Sequence, residues 1–313
     1  MTDDPRFDSA HTVLAADRYR RSRGLWRLLA FLALAVAVLA LVGRFALWDT
    51  GASGRIARIV IDGTITTNRE RQAELEALAE DERVKAVIVS INSPGGSTAG
   101  GEELYEALAA LRAEKPVVSV INELGASAAY MTAIGTDRIF ARRLSIVGSI
   151  GVLYQHVNAG KLLDTVGIDL DKVASGPLKA EPDFDEPITG EVRASIAAMV
   201  DDSFNWFVDI VAERRGLARP QALTLADGRI VSGRVALENG LIDAIGGEAE
   251  AIAWLEAERN VAADLPVVTV WPRDGEGIGW FTRFVGDKAR AALGLPAGSG
   301  AVPLDGLVSL WQV

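Results

Sequence analysis

A serine stands among small residues in Leu124-Gly125-Ala126-Ser127-Ala128-Ala129-Tyr130, just after the apolar run Val117–Ile121. A serine at a strand-to-helix turn with only Gly and Ala beside it is sterically open. Its hydroxyl would sit at a helix N-terminus, where free N–H groups and the dipole favour developing negative charge. The pattern is close to a nucleophile elbow, G-x-S-x-G, with Ala129 where the last glycine would be. The plain alternative is a helix cap, a common role for serine. A second constellation, Asn92-Ser93-Pro94-Gly95-Gly96, closes the buried run Ala86–Ile91. In parallel sheets, ligands bind beyond the carboxyl ends of strands. Two glycines there let bare N–H groups approach a substrate oxygen, although a type II turn uses the same Pro and Gly. A serine at one strand end and N–H donors at another suggest acyl transfer with an oxyanion hole.

Serine needs a base. The only Asp/His pair that follows it, Asp137 with His156, has no spacing that supports a triad. A lysine can serve if desolvation lowers its pKa by roughly 2–4 units from about 10.4. Lys179, in Ser175-Gly176-Pro177-Leu178-Lys179, lies in a Gly/Pro-bounded loop, where a lysine is ordinarily a solvated charge. Other chemistries drop out. With no cysteine there are no thiol nucleophiles, disulfides or Cys-based zinc sites. No GxxxxGK[ST] loop is present, and Gly275-Glu276-Gly277-Ile278-Gly279 lacks the strand–turn–helix setting of a dinucleotide site. The two histidines, His11 and His156, fall on opposite sides of an apolar segment, so no metal or cofactor is expected. A net charge of −10 argues against a nucleic-acid partner.

The elements that must position these residues follow from periodicity. Strands are expected at Ile56–Ile61, Ala86–Ile91, Val117–Ile121, Arg138–Ala141 and Ser145–Val152. Helices are expected at 68–79, 102–112, 126–134 and 191–215, the last with Ile196, Val200, Phe207 and Val211 as its stripe. Strands alternating with helices imply an α/β fold with a largely parallel sheet. Residues 174–187 read as a loop, 227–246 as a second small α/β unit, and the tail 275–313 as carrying an amphipathic helix near 280–293.

Residues 1–50 hold seven Lys/Arg and five Asp/Glu, which leaves the remainder strongly acidic. Arg18, Arg20, Arg21, Arg23 and Arg27 precede an apolar run from Leu28 to Gly43; Phe45–Trp48 extend it past Arg44. The full length suffices for one membrane span, Arg44 can snorkel, and Trp26 and Trp48 suit the interfaces. The arginines then predict a cytoplasmic N-terminus and an exported main domain. A cleaved signal peptide and a buried core helix are the rival readings of this segment.

In order along the chain come Asn92-Ser93-Pro94-Gly95-Gly96, Gly125-Ala126-Ser127-Ala128-Ala129-Tyr130, Val147-Gly148-Ser149-Ile150-Gly151-Val152, Ser175-Gly176-Pro177-Leu178-Lys179 and Ala226-Asp227-Gly228-Arg229. This series, from about Ile56 to Gly247, resembles the short form of the signal peptide peptidase A family of membrane-anchored serine peptidases. The resemblance implies a crotonase/Clp protease-like fold of repeated ββα units behind an N-terminal transmembrane helix. It implies Ser127 as nucleophile, Lys179 as general base, Ser149 orienting the lysine, and an oxyanion hole from Gly95 or Gly96 with the backbone at Ala128. It also implies remnant signal peptides and other membrane-associated peptides as substrates, the lipid bilayer as a partner, a homo-oligomeric ring, the bacterial inner membrane as location, and no cofactor.

The corresponding domain limits are a basic leader 1–24, an anchor 25–48, a linker 49–55, a peptidase domain 56–247 and a C-terminal extension 248–313. Two departures stand out. Ala128 and Ala129 replace glycines after the serine. Glu181, Asp183, Asp185 and Glu186 follow Lys179, where a carboxylate would hold the lysine charged. Rival functions are a non-catalytic crotonase-fold scaffold, an acyl-CoA enzyme of that fold, and a peptidase acting on other membrane protein fragments. Type I signal peptidase also uses Ser and Lys, but its motifs are absent.

Overall fold

The computed structural model describes residues 26–27, 29–38, 54–188, 190–272 and 308–310. The chain divides into two compact units, Met1–Ser53 and Gly54–Val313. In the first, the described residues are helical, with their side chains exposed. No helix among the described residues is long and apolar enough to cross a membrane; the expected anchor, 25–48, extends past the residues described.

The second unit is an α/β fold. Strand β1 (Arg55–Asp62) is followed by helix α1 (Arg69–Glu80), β2 (Val84–Ser93), β3 (Gly95–Ser97) and α2 (Thr98–Glu114). Then come β4 (Val117–Ala126), α3 (Ala128–Ile134), β5 (Arg138–Ala141) and β6 (Ile146–Gly148). The sheet runs β7-β6-β4-β2-β1-β9, where β7 is Ile230–Ser232 and β9 is Val267–Trp271; β5 pairs with β4 and with β8 (Ala244–Ile245). All its pairings are parallel except β6 with β7.

Burial explains why β2 reads as a continuous apolar run. Helices cover both faces, so both sets of alternating side chains are inside. On one face Val87, Val89 and Ile91 pack with Leu104, Leu108 and Phe207; on the other Ala86 and Ile88 meet Leu255 of the helix Glu248–Glu258. The long helix α4 (Gly190–Arg215) buries Phe207, Val208, Ile210 and Val211, all in its second half. Ile196 and Val200, expected on the same stripe, are only half-buried.

Strand β4 is longer than periodicity suggested, and this matters for the site. Its outer edge is shared: β5 pairs with Val118–Ile121 and β6 with Leu124–Ala126. At the fork the Ser145 hydroxyl bonds the carbonyls of Ile121 and Asn122, at 3.1 and 2.6 Å. Freed from β5, the second half of β4 carries Gly125 and Ala126 on to Ser127.

One expectation is corrected. Residues 227–246 are not a second unit, because β7 and β8 extend the main sheet through β6 and β5. Past residue 247, the helix Glu248–Glu258 lies on the sheet and β9 pairs with β1. The helix expected near 280–293 lies outside the described residues, but a last strand, β10 (Val308–Leu310), pairs antiparallel with β3.

Candidate active site

Ser127 sits in the sharp turn between β4 and α3, with φ 59° and ψ −122°. Such left-handed backbone is strained for a residue with a Cβ, costing of order 1–3 kcal/mol. Its side chain does not cap α3, which removes the reading of Ser127 as a simple helix cap. Main-chain bonds hold the turn: Ser127 N donates to Gly148 O at 2.8 Å, and Met131 N to Ser127 O at 2.9 Å. Ser127 is 1% exposed.

Ser149 lies alongside. Ala126 pairs with Gly148 in parallel register, so Ser127 and Ser149 are the next residues on adjacent chains. Ser149 is also left-handed, with φ 50°. Its N–H donates to Arg229 O at 2.7 Å, and Gly228 N donates to Ile150 O at 3.2 Å. The Ala226–Arg229 motif is therefore a turn that braces the Ser149 strand. Its exposed Asp227 is held well below the usual carboxylate range, at about 2, by the hydrogen-bonded Arg229 guanidinium.

The glycine pair opens β3, which pairs with β10 in a separate two-stranded sheet; just before it, Ser93 at the end of β2 pairs with Gly125 of β4. Gly95 has φ 108°, and its N–H donates to Ser93 Oγ at 3.1 Å. Gly96 bridges to Ile65, through Ile65 N to Gly95 O at 2.8 Å and Ser97 N to Ile65 O at 2.9 Å. Backbone groups alternate along a strand, so the Gly96 N–H turns to the opposite edge, where β10 pairs. A Cβ on Gly96 would fall 1.8 Å from Ile65 O, so only glycine fits. Of the two expected donors, Gly96 has the N–H directed to the edge on which β10 pairs, while the Gly95 N–H is taken by Ser93 Oγ. Strand β3 and Ala128 both lie against the first turn of α2, where a Cβ on Gly101 would meet Ala128 Cβ at 3.0 Å.

Lys179 is the residue the single chain does not bring in. It is exposed in the loop 174–187, its N–H donating to Gly176 O at 3.2 Å. Two of the acids that follow it are engaged elsewhere. Glu181 and Asp183 pair with the Lys172 ammonium, whose pKa their hydrogen bonds raise. The Asp137/His156 alternative fails on distance. Asp137 accepts from Val117 N at the start of β4, roughly 30 Å of strand from its far end, where Ser127 stands. His156 bonds the Glu186 carbonyl at 2.9 Å.

Two residues packed beside β3, Arg71 and Glu103, carry no signature in the sequence. Each reads as one more charge on a polar helix, yet Arg71 is 7% exposed.

The model of peptidase family S49 matches residues 109–262. The putative protease slr0021 of Synechocystis sp. is 37% identical over 209 residues, 66% of this chain and 75% of that protein. The chain belongs to peptidase family S49. It is a serine peptidase, a hydrolase. The putative signal peptide peptidase SppA of Enterococcus faecium is 29% identical over 264 residues, 80% of this chain and 76% of that one. Among solved structures, a mutant of the 1510-N membrane-bound stomatin-specific protease superposes with TM-score 0.47 at 14% identity, covering 70% of this chain and 99% of that one. The S49 match spans α3, β6, the Lys179 loop and the Ala226–Arg229 turn, while the glycine strand lies just before it.

Proposed function

We propose that this S49 peptidase is anchored in the bacterial inner membrane by residues 25–48 and hydrolyses remnant signal peptides on the exported side. Ser127 is the nucleophile and Lys179 the base. The observation that carries this reading is the left-handed, non-capping Ser127 at the mouth of the sheet. Beside it, the Gly96 N–H and the Ala128 N–H serve the oxyanion. The β3 edge already accepts an extended chain in antiparallel register, as β10 shows. A substrate strand bound the same way uses main-chain bonds that are indifferent to sequence.

The base is completed by assembly. The segment that carries Lys179 exposes Val157, Leu162, Val166, Val173, Leu178 and Phe184. So many exposed apolar side chains within one segment mark an interface. A second copy of the chain, packed in a ring, covers it. This burial desolvates the Lys179 amine and favours its neutral form. Lys179 then takes the Ser127 proton as Oγ bonds to the scissile carbonyl carbon. The C–N bond breaks, the leaving amine takes that proton, and water hydrolyses the ester to regenerate Ser127. Ser149 bonds the lysine and orients it.

The test uses full-length enzyme in lipid vesicles with a synthetic signal peptide. Wild type is expected to cleave it, and Ser127→Ala and Lys179→Arg to be inactive, since a guanidinium does not deprotonate. An active Lys179→Arg enzyme would place the base elsewhere.

A further inference from the structure

The oxyanion strand β3 is short. Its edge away from β10 rests on a single bridge to Ile65, so whatever fixes Ile65 and Thr66 fixes the Gly96 N–H. Arg71 of α1 reaches back to this segment. Its Nη2 donates to Thr66 O at 2.7 Å and to Glu103 Oε1 of α2 at 3.2 Å. The same Glu103 oxygen accepts from Asn68 N at 2.9 Å, and Asn68 Oδ1 accepts from Arg71 N at 2.9 Å. Contact from the other side is just as close: a Cβ on Gly100 of α2 would lie 2.8 Å from Thr66 backbone atoms.

This arrangement is costly to maintain. Arg71 is buried, its Nε has no hydrogen-bond partner among the described residues, and burial pulls its pKa down against the pull of Glu103. Buried ion pairs add little net stability, because desolvation offsets the attraction. Helices α1 and α2 already share the buried Leu75, Leu78, Leu104 and Leu108 for packing.

We infer that Arg71 and Glu103 are positioning residues for the S49 reaction, clamping Ile65–Thr66 so that the Gly96 N–H meets the oxyanion. Neither touches the substrate; they act through Ile65. The inference rests on the proposed site, with Gly96 as donor to an intermediate formed on Ser127.

The experiment measures kcat and KM for a peptide substrate, with kcat expressed per Ser127 titrated by a fluorophosphonate, so that an unfolded fraction drops out. Arg71→Met is expected to lower kcat roughly 10–100-fold, as small misplacements of catalytic groups do, with KM changed less than about 3-fold. Arg71→Lys still reaches the Thr66 carbonyl and is expected within about 5-fold of wild-type kcat. Should Arg71→Met not fold, Glu103→Gln decides; it keeps an acceptor for Asn68 but loses the charge, and a kcat reduction of about 3–10-fold is expected. Wild-type kcat in the folded variants, or a rise in KM alone, would overturn the inference. If the wild type is not labelled at Ser127, the proposed site itself falls and this inference with it; labelling at Ser127 with an indifferent Arg71 sinks the inference alone.

Discussion

The N–H of Ser127 donates to the carbonyl of Gly148 at 2.8 Å, so the turn that carries Ser127 is fastened to the strand that leads into Ser149. One main-chain bond thus sets the spacing between two side chains assigned to the same proton transfer. Ser149→Ala leaves that bond in place and removes only the hydroxyl. The expected result is a kcat at least about 10-fold lower with an unchanged melting temperature, since the lost group acts only on the base. Wild-type kcat in this variant would remove Ser149 from the mechanism.

Gly96→Ala tests the oxyanion strand itself. The new methyl would lie 1.8 Å from Ile65 O, a backbone atom that cannot swing aside. β3 must move, and the Gly96 N–H with it. Loss of one oxyanion donor costs about 10²–10³ in kcat, and steady-state kinetics on titrated enzyme would show it.

Much of this site was legible in the residues and some was not. Ser127, Gly95 and Gly96 stand in turns with a clear Gly/Pro or small-residue signature, and the apolar runs marked the strands that lead to them. The choice of Gly96 over Gly95 was not legible, because it depends on Ser93 Oγ occupying one N–H and on the Ile65 bridge. Nor could periodicity separate β7 and β8 from a second unit; their pairing with β6 and β5 is a long-range contact that no local pattern encodes. Arg71 was hidden for the same reason, since a buried arginine and an exposed one look alike on a polar helix.

The tail strand supplies a further test. β10 pairs with Gly95–Ser97 on the edge proposed for substrate. Removing residues 304–313 leaves that edge open, and kcat/KM for a short soluble peptide is expected to rise about 2–10-fold, because a competing intramolecular strand is gone. An unchanged kcat/KM would mean that substrate does not use this edge.

Assembly is tested by charge. Val173 is fully exposed and Leu178 lies beside the lysine. Val173→Asp and Leu178→Asp should reduce the oligomer mass seen by light scattering and reduce activity in parallel. Dissociated but fully active enzyme would refute completion of the site by a second copy.

Acid stability follows from Asp81. Hydrogen bonds from the Arg83 side chain and N–H, with Arg55 close by, lower its pKa to about 2. A depressed carboxylate stabilises the fold above its unfolded pKa and loses that contribution as pH falls through the folded value. Asp81→Asn should therefore narrow the stability difference from wild type as pH drops from about 4 toward 2. Parallel melting curves at each pH would check it, and a difference that stays constant across that window would contradict it.

The central claim is that Lys179 activates Ser127 in the assembled enzyme. The direct measurement is mass spectrometry of the Ser127 peptide after fluorophosphonate treatment of the oligomer, for wild type and Lys179→Met. The account predicts an adduct on Ser127 in the wild type and almost none in the variant at equal oligomer mass. Equal labelling of the two, or an adduct on another serine, would contradict it.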